Sequence, residues 1–274
     1  MLERKDMPAG PTVTRNAIEL RDVTVTRREH HILTSISLAV PEGTCCAILG
    51  PNGSGKSALM AVVGGYLWPS RGTVVVDGHV YGRVSLGEVR RTIGLIEPSR
   101  APRLNDRMPV RDVVATGLFG TIMLPLHQRV SPAQWQRVDA ELAAMDLKAL
   151  GPCPYGQLST GEQMKTLLAR ALVTDARILL LDEPTVGLDM GARAACVSVV
   201  DELLARSEPP TVVIVSHHLD ELPQRVTQVV LMRQGRIVQQ GTPDALLTSE
   251  NLSKLFDCSV QVFKKDGRFV AGVR

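Results

Sequence analysis

The stretch GPNGSGKS, residues 50–57, has the spacing G-x-x-x-x-G-K-[ST]. Glycines at its ends let backbone N–H groups approach phosphate oxygens closely, and a helix starting at its end adds a favourable dipole. The flanks suit this reading. TCCAILG (44–50) is a short apolar strand running into the loop, and KSALMAVVGGYL (56–67) is apolar at helical spacing after it. Gly50, Pro51, Asn52, Gly53, Ser54, Gly55, Lys56 and Ser57 are therefore read as a phosphate-binding loop. Lys56 would hold the β- and γ-phosphates of a nucleotide, and the Ser57 hydroxyl would ligate Mg²⁺.

A second chemical group stands at ILLLDEP (178–184). A buried parallel strand delivers side chains at its carboxyl end, where open α/β sheets bind ligands. Asp182 there can orient Mg²⁺ through its water shell, and Glu183 is placed to polarise an attacking water. LSTGEQMKTLLARAL (158–172) has Ser159 followed three residues later by Glu162, a capping box before an apolar periodic run. A helix start leaves N–H groups free, and those can bind either a side chain or a phosphate.

The ordered set GPNGSGKS, LSTGEQ, LLLDEP, TVGLD and SHH resembles the nucleotide-binding subunit of ATP-binding-cassette (ABC) transporters over residues 18–245. The resemblance implies roles. Gly50–Ser57 becomes the Walker A loop, Asp182 the Walker B aspartate and Glu183 the catalytic base. His217 matches the histidine that senses the γ-phosphate. Ser159, Gly161 and Glu162 would face the nucleotide held by an opposite subunit, and Asp189 in the D-loop would contact that subunit. The implied cofactors are ATP and Mg²⁺. The implied assembly is a homodimer or heterodimer of nucleotide-binding subunits, working with polytopic permease subunits and a solute-binding protein.

Three positions depart from the family pattern. Arg27 stands where an aromatic residue usually stacks on adenine; a guanidinium can stack on a base, and a solvated basic loop is the plainer alternative. Pro98 stands where the family places a glutamine that touches Mg²⁺, and Glu97 is the nearest side chain able to ligate a hard cation. Thr160 stands where glycine is usual and adds bulk at the shared interface.

The elements that must position these residues are legible in the alternation of the chain. IELRDVTVT (18–26) and ILTSISLAV (32–40) read as paired strands, and GTVVVDGHV (72–80) as a hairpin about Asp77-Gly78. Ser85 and Glu88 cap a short helix. Strand signals fade between about 98 and 157, where Ser131-Pro132 starts a helix with Trp135, Val138, Leu142, Met145 and Ala149 on one apolar face. ARILLLDEP and TVVIVSHH (211–218) are continuous apolar runs, as parallel strands buried on both faces require. Thr242-Pro243 starts a further helix, and Asp266-Gly267 turns a last hairpin.

The expected fold class is α/β: a RecA-like P-loop NTPase core on a parallel sheet, an N-terminal antiparallel β element and an inserted helical subdomain at about 98–170. The expected division is a tail over 1–17, the nucleotide-binding domain over 18–245, and a helix-and-hairpin extension over 246–274.

Composition narrows the function further. Aromatic residues are 3% of the chain, which disfavours a stacking platform for single-stranded nucleic acid, and the net charge of +3 is spread along the sequence, so no nucleic-acid partner is expected. Five cysteines without CxxC spacing suit a reducing compartment. No signal-peptide pattern or membrane-spanning run is present, so the chain is expected in the cytoplasm, peripheral on the membrane's inner face. The apolar GLFGTIMLPL (117–126) is a candidate contact with a membrane partner, or else a core helix and turn.

Import is favoured over export because the short middle segment and the tail resemble ATPases of importers for iron chelates and molybdate. A soluble, non-transport ABC ATPase would need a coiled-coil insert or second cassette, a GTPase an NKxD-like guanine reader. A purely structural nucleotide-binding module would lack Glu183 or His217.

Overall fold

A computed structural model describes residues 15–97, 104–125, 127, 129–174 and 176–273. The chain opens with β1 (Asn16–Arg27) and β2 (His30–Pro41), followed by β3 (Cys45–Leu49), α1 (Lys56–Val63), β4 (Arg71–Val76), β5 (His79–Val80), α2 (Leu86–Arg91) and β6 (Ile93–Ile96). Helices then dominate: α3 (Val110–Thr116), α4 (Pro132–Ala144) and α5 (Thr160–Leu172). Alternation resumes with β7 (Ile178–Asp182), α6 (Met190–Leu204), β8 (Thr211–Val215), β9 (Gln228–Arg233) and β10 (Arg236–Gly241). Two helices, α7 (Pro243–Leu246) and α8 (Ser249–Phe256), lead into the hairpin β11 (Val260–Lys265) and β12 (Arg268–Val273).

The central sheet has the order β10-β9-β3-β8-β7-β6. Its five strands from β9 to β6 are parallel, and β10 returns antiparallel at the edge. Every residue of β3, β7 and β8 is buried because both faces are covered. Alternation splits each strand between two cores. Cys45, Ala47, Leu49, Leu179 and Leu181 face the helical side, while Cys46, Ile48, Ile178 and Leu180 face the β side. There the antiparallel sheet β2-β1-β4-β5 covers them together with α1. Each fully buried Leu or Ile contributes about 1.5–3 kcal/mol relative to exposure. Burial pushes the Cys46 thiol up to about 12, so it behaves as a small apolar side chain.

Local signals explain where elements start and stop. Ser131 and Gln134 form the capping box of α4 with Pro132 as its first residue. Asp77-Gly78 and Asp266-Gly267 have positive φ at both positions, as two-residue hairpin turns demand. Two expectations need correction. The helix expected to reach residue 67 ends at Val63, because Gly64 closes it and Gly65 at φ 70 turns the chain away. The apolar face expected over α4 fails at Ala149, which is exposed. The helix stops at Ala144, Asp146 at φ 59 bends the chain, and Leu147 fills the core beside Val138, Leu142 and Met145. The tail expected over 1–17 lies mostly outside the described residues; β1 already begins at Asn16.

Candidate functional site

Three strand ends build the site. The loop 50–57 follows β3, Asp182 and Glu183 close β7, and His217 follows β8; these strands are neighbours in the order β3-β8-β7. Their carboxyl ends therefore open on one edge of the sheet, the edge where parallel α/β sheets bind ligands.

The loop is shaped by backbone needs that only glycine meets. Gly55 sits at φ 100 at the start of α1, and no side chain caps the helix there, so its first-turn N–H groups point at the space over the loop. A Cβ on Gly50 would lie 2.2 Å from the Met232 carbonyl oxygen, so that strand end and β9 touch through bare backbone. Lys56 is buried and donates from Nζ to the carbonyls of Gly50 at 2.8 Å and Pro51 at 3.1 Å. Burial pushes its ammonium below the ordinary lysine value, opposed by the charges of Glu183 and Asp182. Those two carboxylates thus act on the same amine. Ser54 Oγ is buried with no hydrogen-bond partner among the described residues. A cradle with a buried cation, uncapped helical N–H groups and an unsatisfied hydroxyl suits a polyanion such as a nucleotide triphosphate.

Asp182 is 4% exposed at the end of β7, and Glu97 follows β6, whose Ile96 pairs with Leu181. Ser57, Glu97 and Asp182 line one cavity of about 430 Å³. Among the described residues no group of three or more His, Cys, Asp or Glu could hold a metal by itself. A hydroxyl and one or two carboxylates instead fit Mg²⁺, which takes few protein ligands and completes its shell with water and substrate phosphate. Pro98 lies outside the described residues.

Glu183 and His217 meet directly, His217 Nε2 lying 2.6 Å from Glu183 Oε1. Sequence reasoning gave each residue a task but missed this contact. Glu183 also adopts φ 52, with its N–H bonded to the Val215 carbonyl at 3.0 Å. A left-handed glutamate costs about 1–2 kcal/mol, so the backbone is held there against its preference.

A second group forms on the helical side. Ser159 caps α5: its Oγ accepts from Glu162 N at 3.4 Å and donates to Glu162 Oε2 at 2.7 Å, while its own N–H donates to the same carboxylate at 2.8 Å. These bonds from Ser159 pull the Glu162 carboxyl below its ordinary value. Asp189 caps α6 by accepting from Ala192 N at 2.8 Å. A Cβ on Gly161 would touch Ala192 at 3.5 Å, so the starts of α5 and α6 lie side by side. Ser159, Asp189 and Met190 are all exposed on this face, Met190 at 87%.

Arg27 is exposed at the end of the β1–β2 ladder, opposite His30. The ladder it ends touches the loop further along: a Cβ on Gly55 would lie 2.9 Å from Leu33 Cδ2 of β2, and Leu33 pairs with Val25. Gly235 escaped the sequence reading altogether. It tips the β9–β10 hairpin, its N–H donating to Ser54 O at 2.9 Å and its carbonyl accepting from Thr34 N at 2.8 Å. The Gln-Gly pair between two strand-like runs was the signal available.

A family model described as ABC transporter matches residues 33–186. An uncharacterised ABC transporter ATP-binding protein of Bacillus subtilis, YlmA, is 31% identical over 92% of this chain and 95% of its own length. The hemin import ATP-binding protein HmuV of Shewanella denitrificans is 31% identical over 89% of this chain and 94% of its own. Among solved structures, cbiO1 of Clostridium perfringens, part of the ABC transporter complex cbiONQ, matches with a TM-score of 0.74 at 26% identity, covering 87% of this chain and 93% of that one. The chain belongs to the ABC transporter family, as one of its ATP-binding chains, an ATPase.

Proposed function

We propose that this chain is the Mg²⁺-dependent motor of an importer, two copies facing head to tail so that each completes the other's nucleotide site. The observation that carries the reading is the contact of Glu183 with His217, beside the buried Lys56. Lys56 and the N–H groups of the loop bind and orient the phosphates. Ser57 and Asp182 would hold Mg²⁺, with Glu97 lining the same cavity, and the ion would supply neutralisation of phosphate charge when bound. Glu183 positions a water for in-line attack on the γ-phosphorus and takes its proton, while the bond to the bridging oxygen breaks and ADP leaves. His217 contacts the transferring group. Positioning and charge neutralisation account for the rate in such a site.

In the same reading, Ser159 and the Gly161 amide meet the γ-phosphate held by the other copy, with Glu162 holding the cap. Asp189 lies on the shared face. A cap in the single chain thus becomes half a site in the dimer. Arg27 would lie against the adenine.

The permease would dock on the helical side. Ile122 and Met123 are 44% and 57% exposed, unusual for neighbouring apolar residues, and Leu126 lies outside the described residues. Beside them runs a groove of about 1090 Å³ lined by Tyr66, Arg90, Leu118, Phe119 and Arg137 among others. Among the described residues no helix is long and apolar enough to cross a membrane, which suits a peripheral subunit on the cytoplasmic face. Division into a nucleotide-binding domain over 18–245, a helical subdomain at about 98–170 and an extension over 246–274 follows this plan. The hemin-importing relative supports a metal chelate as the solute, delivered by a solute-binding protein.

The test is Glu183→Gln. It should bind ATP as the parent does and hydrolyse it at least about a hundredfold more slowly, the usual worth of a positioned base. Vigorous turnover by that variant would overturn the assignment. A pull-down from membranes that brings no polytopic partner would overturn the transporter role.

A further inference from the structure

Behind His217 runs a buried polar chain that the hydrolytic steps above do not use. Ser216, between β8 and the histidine, is fully buried. Its Oγ accepts from His218 N at 2.9 Å and directs its proton to the Glu221 carboxylate, with the His218 carbonyl at 3.1 Å from the same oxygen. Glu221 is only 5% exposed, and its other oxygen meets Arg193 Nη1 at 3.3 Å. Arg193 belongs to the first turn of α6, where its N–H bonds to the Asp189 carbonyl at 2.9 Å. A single continuous path therefore joins the start of α6 to the turn that carries His217.

Burying a carboxylate is costly, and pairing it with the half-buried Arg193 seldom repays that desolvation in stability. Its worth must then be sought in geometry. The His217 side chain leaves a short loop with few backbone bonds of its own, Ser216 N reaching the Ile48 carbonyl only at 3.5 Å. We propose that Glu221 and Arg193 are positioning residues for His217: the ion pair fixes the loop against α6, so that the imidazole is presented to the transferring phosphate in one place. The proposal rests on the reading of His217 as a contact to that phosphate.

The experiment compares Glu221→Gln and Arg193→Lys with the parent chain, in single-turnover ATP hydrolysis. Each should slow the chemical step by about ten- to a hundredfold, the cost of misplacing a group by an ångström. The KM for ATP should stay within about twofold, because the phosphate loop is untouched. In a His217→Ala background the same substitutions should change the rate by less than about twofold, since partners in one path are not additive. Thermal unfolding followed in parallel reports any loss of fold, which a merely structural role would show equally in both backgrounds. A parent-like rate in Glu221→Gln, or an equal fold-loss with and without His217, would overturn the proposal alone. A His217→Ala chain that hydrolyses ATP at the parent rate would overturn the reading of His217, and the proposal with it.

Discussion

Replacing Gly235 by alanine should loosen the phosphate loop from a distance, and Gly267 offers the matched control. Both are second residues of two-residue hairpin turns, at φ 73 and φ 77, each preceded by a residue at φ 49. The backbone penalty for alanine in that conformation is the same at both, about 1 kcal/mol. Their surroundings differ. A Cβ at Gly267 meets nothing within 4 Å, whereas one at Gly235 would lie 2.5 Å from the Ile32 carbonyl oxygen, against backbone that cannot swing aside. Overpacking of this kind adds about 1–3 kcal/mol. Shifting the tip also strains its bonds to Ser54 O and Thr34 N, worth about 1 kcal/mol each. Gly235→Ala should therefore cost about 3–5 kcal/mol against about 1 for Gly267→Ala. For a chain of this size that is a melting temperature lower by about 6–20 °C against about 2–4 °C. Calorimetry reads the first difference, and titration with a fluorescent ATP analogue reads the second, weaker binding in Gly235→Ala only. Equal melting temperatures, or unchanged nucleotide affinity in a destabilised Gly235→Ala chain, would refute the claim that this hairpin holds the loop.

Ser159→Ala should cost about 1 kcal/mol of stability through loss of the cap, and also lower ATPase activity. Because the Glu162 carboxyl lies below its ordinary 4.5, the cap's contribution is complete above that pH and drains away as pH falls through the lowered value. The variant keeps the N–H bond of residue 159 to Glu162 and loses the hydroxyl's, so its acid-limb loss in pH-dependent unfolding should be smaller than the parent's, and unchanged hydrolysis would leave Ser159 a cap alone. Glu97→Gln and Glu97→Ala should raise the Mg²⁺ concentration needed for half-maximal turnover; an unchanged Mg²⁺ titration would leave the loop after β6 a hinge. Ile122→Glu with Met123→Glu should abolish solute uptake in reconstituted vesicles and spare ATP hydrolysis in solution. Normal uptake would move the docking surface elsewhere.

The loop 50–57, the strand end at Asp182 and the caps at Ser131 and Ser159 were legible because each is written in a few adjacent residues. The same holds for the Asp-Gly hairpins, where two left-handed residues need particular side chains. What stayed hidden depends on residues far apart in the chain. Gly235 reads as an ordinary turn glycine until β9 is laid beside β3 and its tip falls on Ser54. The meeting of Glu183 with His217 requires β7 and β8 to be neighbours, a pairing that two apolar runs do not specify. β6 was obscured because IGLI is short and Gly94 interrupts it; the structure needs that glycine, since a Cβ there would lie 2.7 Å from Leu179 Cδ2. Ala149 failed because a helical period was extended past Asp146, where the backbone had already turned. Glu183 at φ 52 has no sequence signal at all.

Two copies of this chain would share their nucleotide sites, and sedimentation of the Glu183→Gln chain tests that sharing most directly. With ATP and Mg²⁺ present the hydrolysis-deficient chain should sediment at twice its monomer mass, and return to monomer with ADP or when Ser159 is also replaced by alanine. A monomer under all three conditions, or a dimer indifferent to nucleotide and to Ser159, would contradict it.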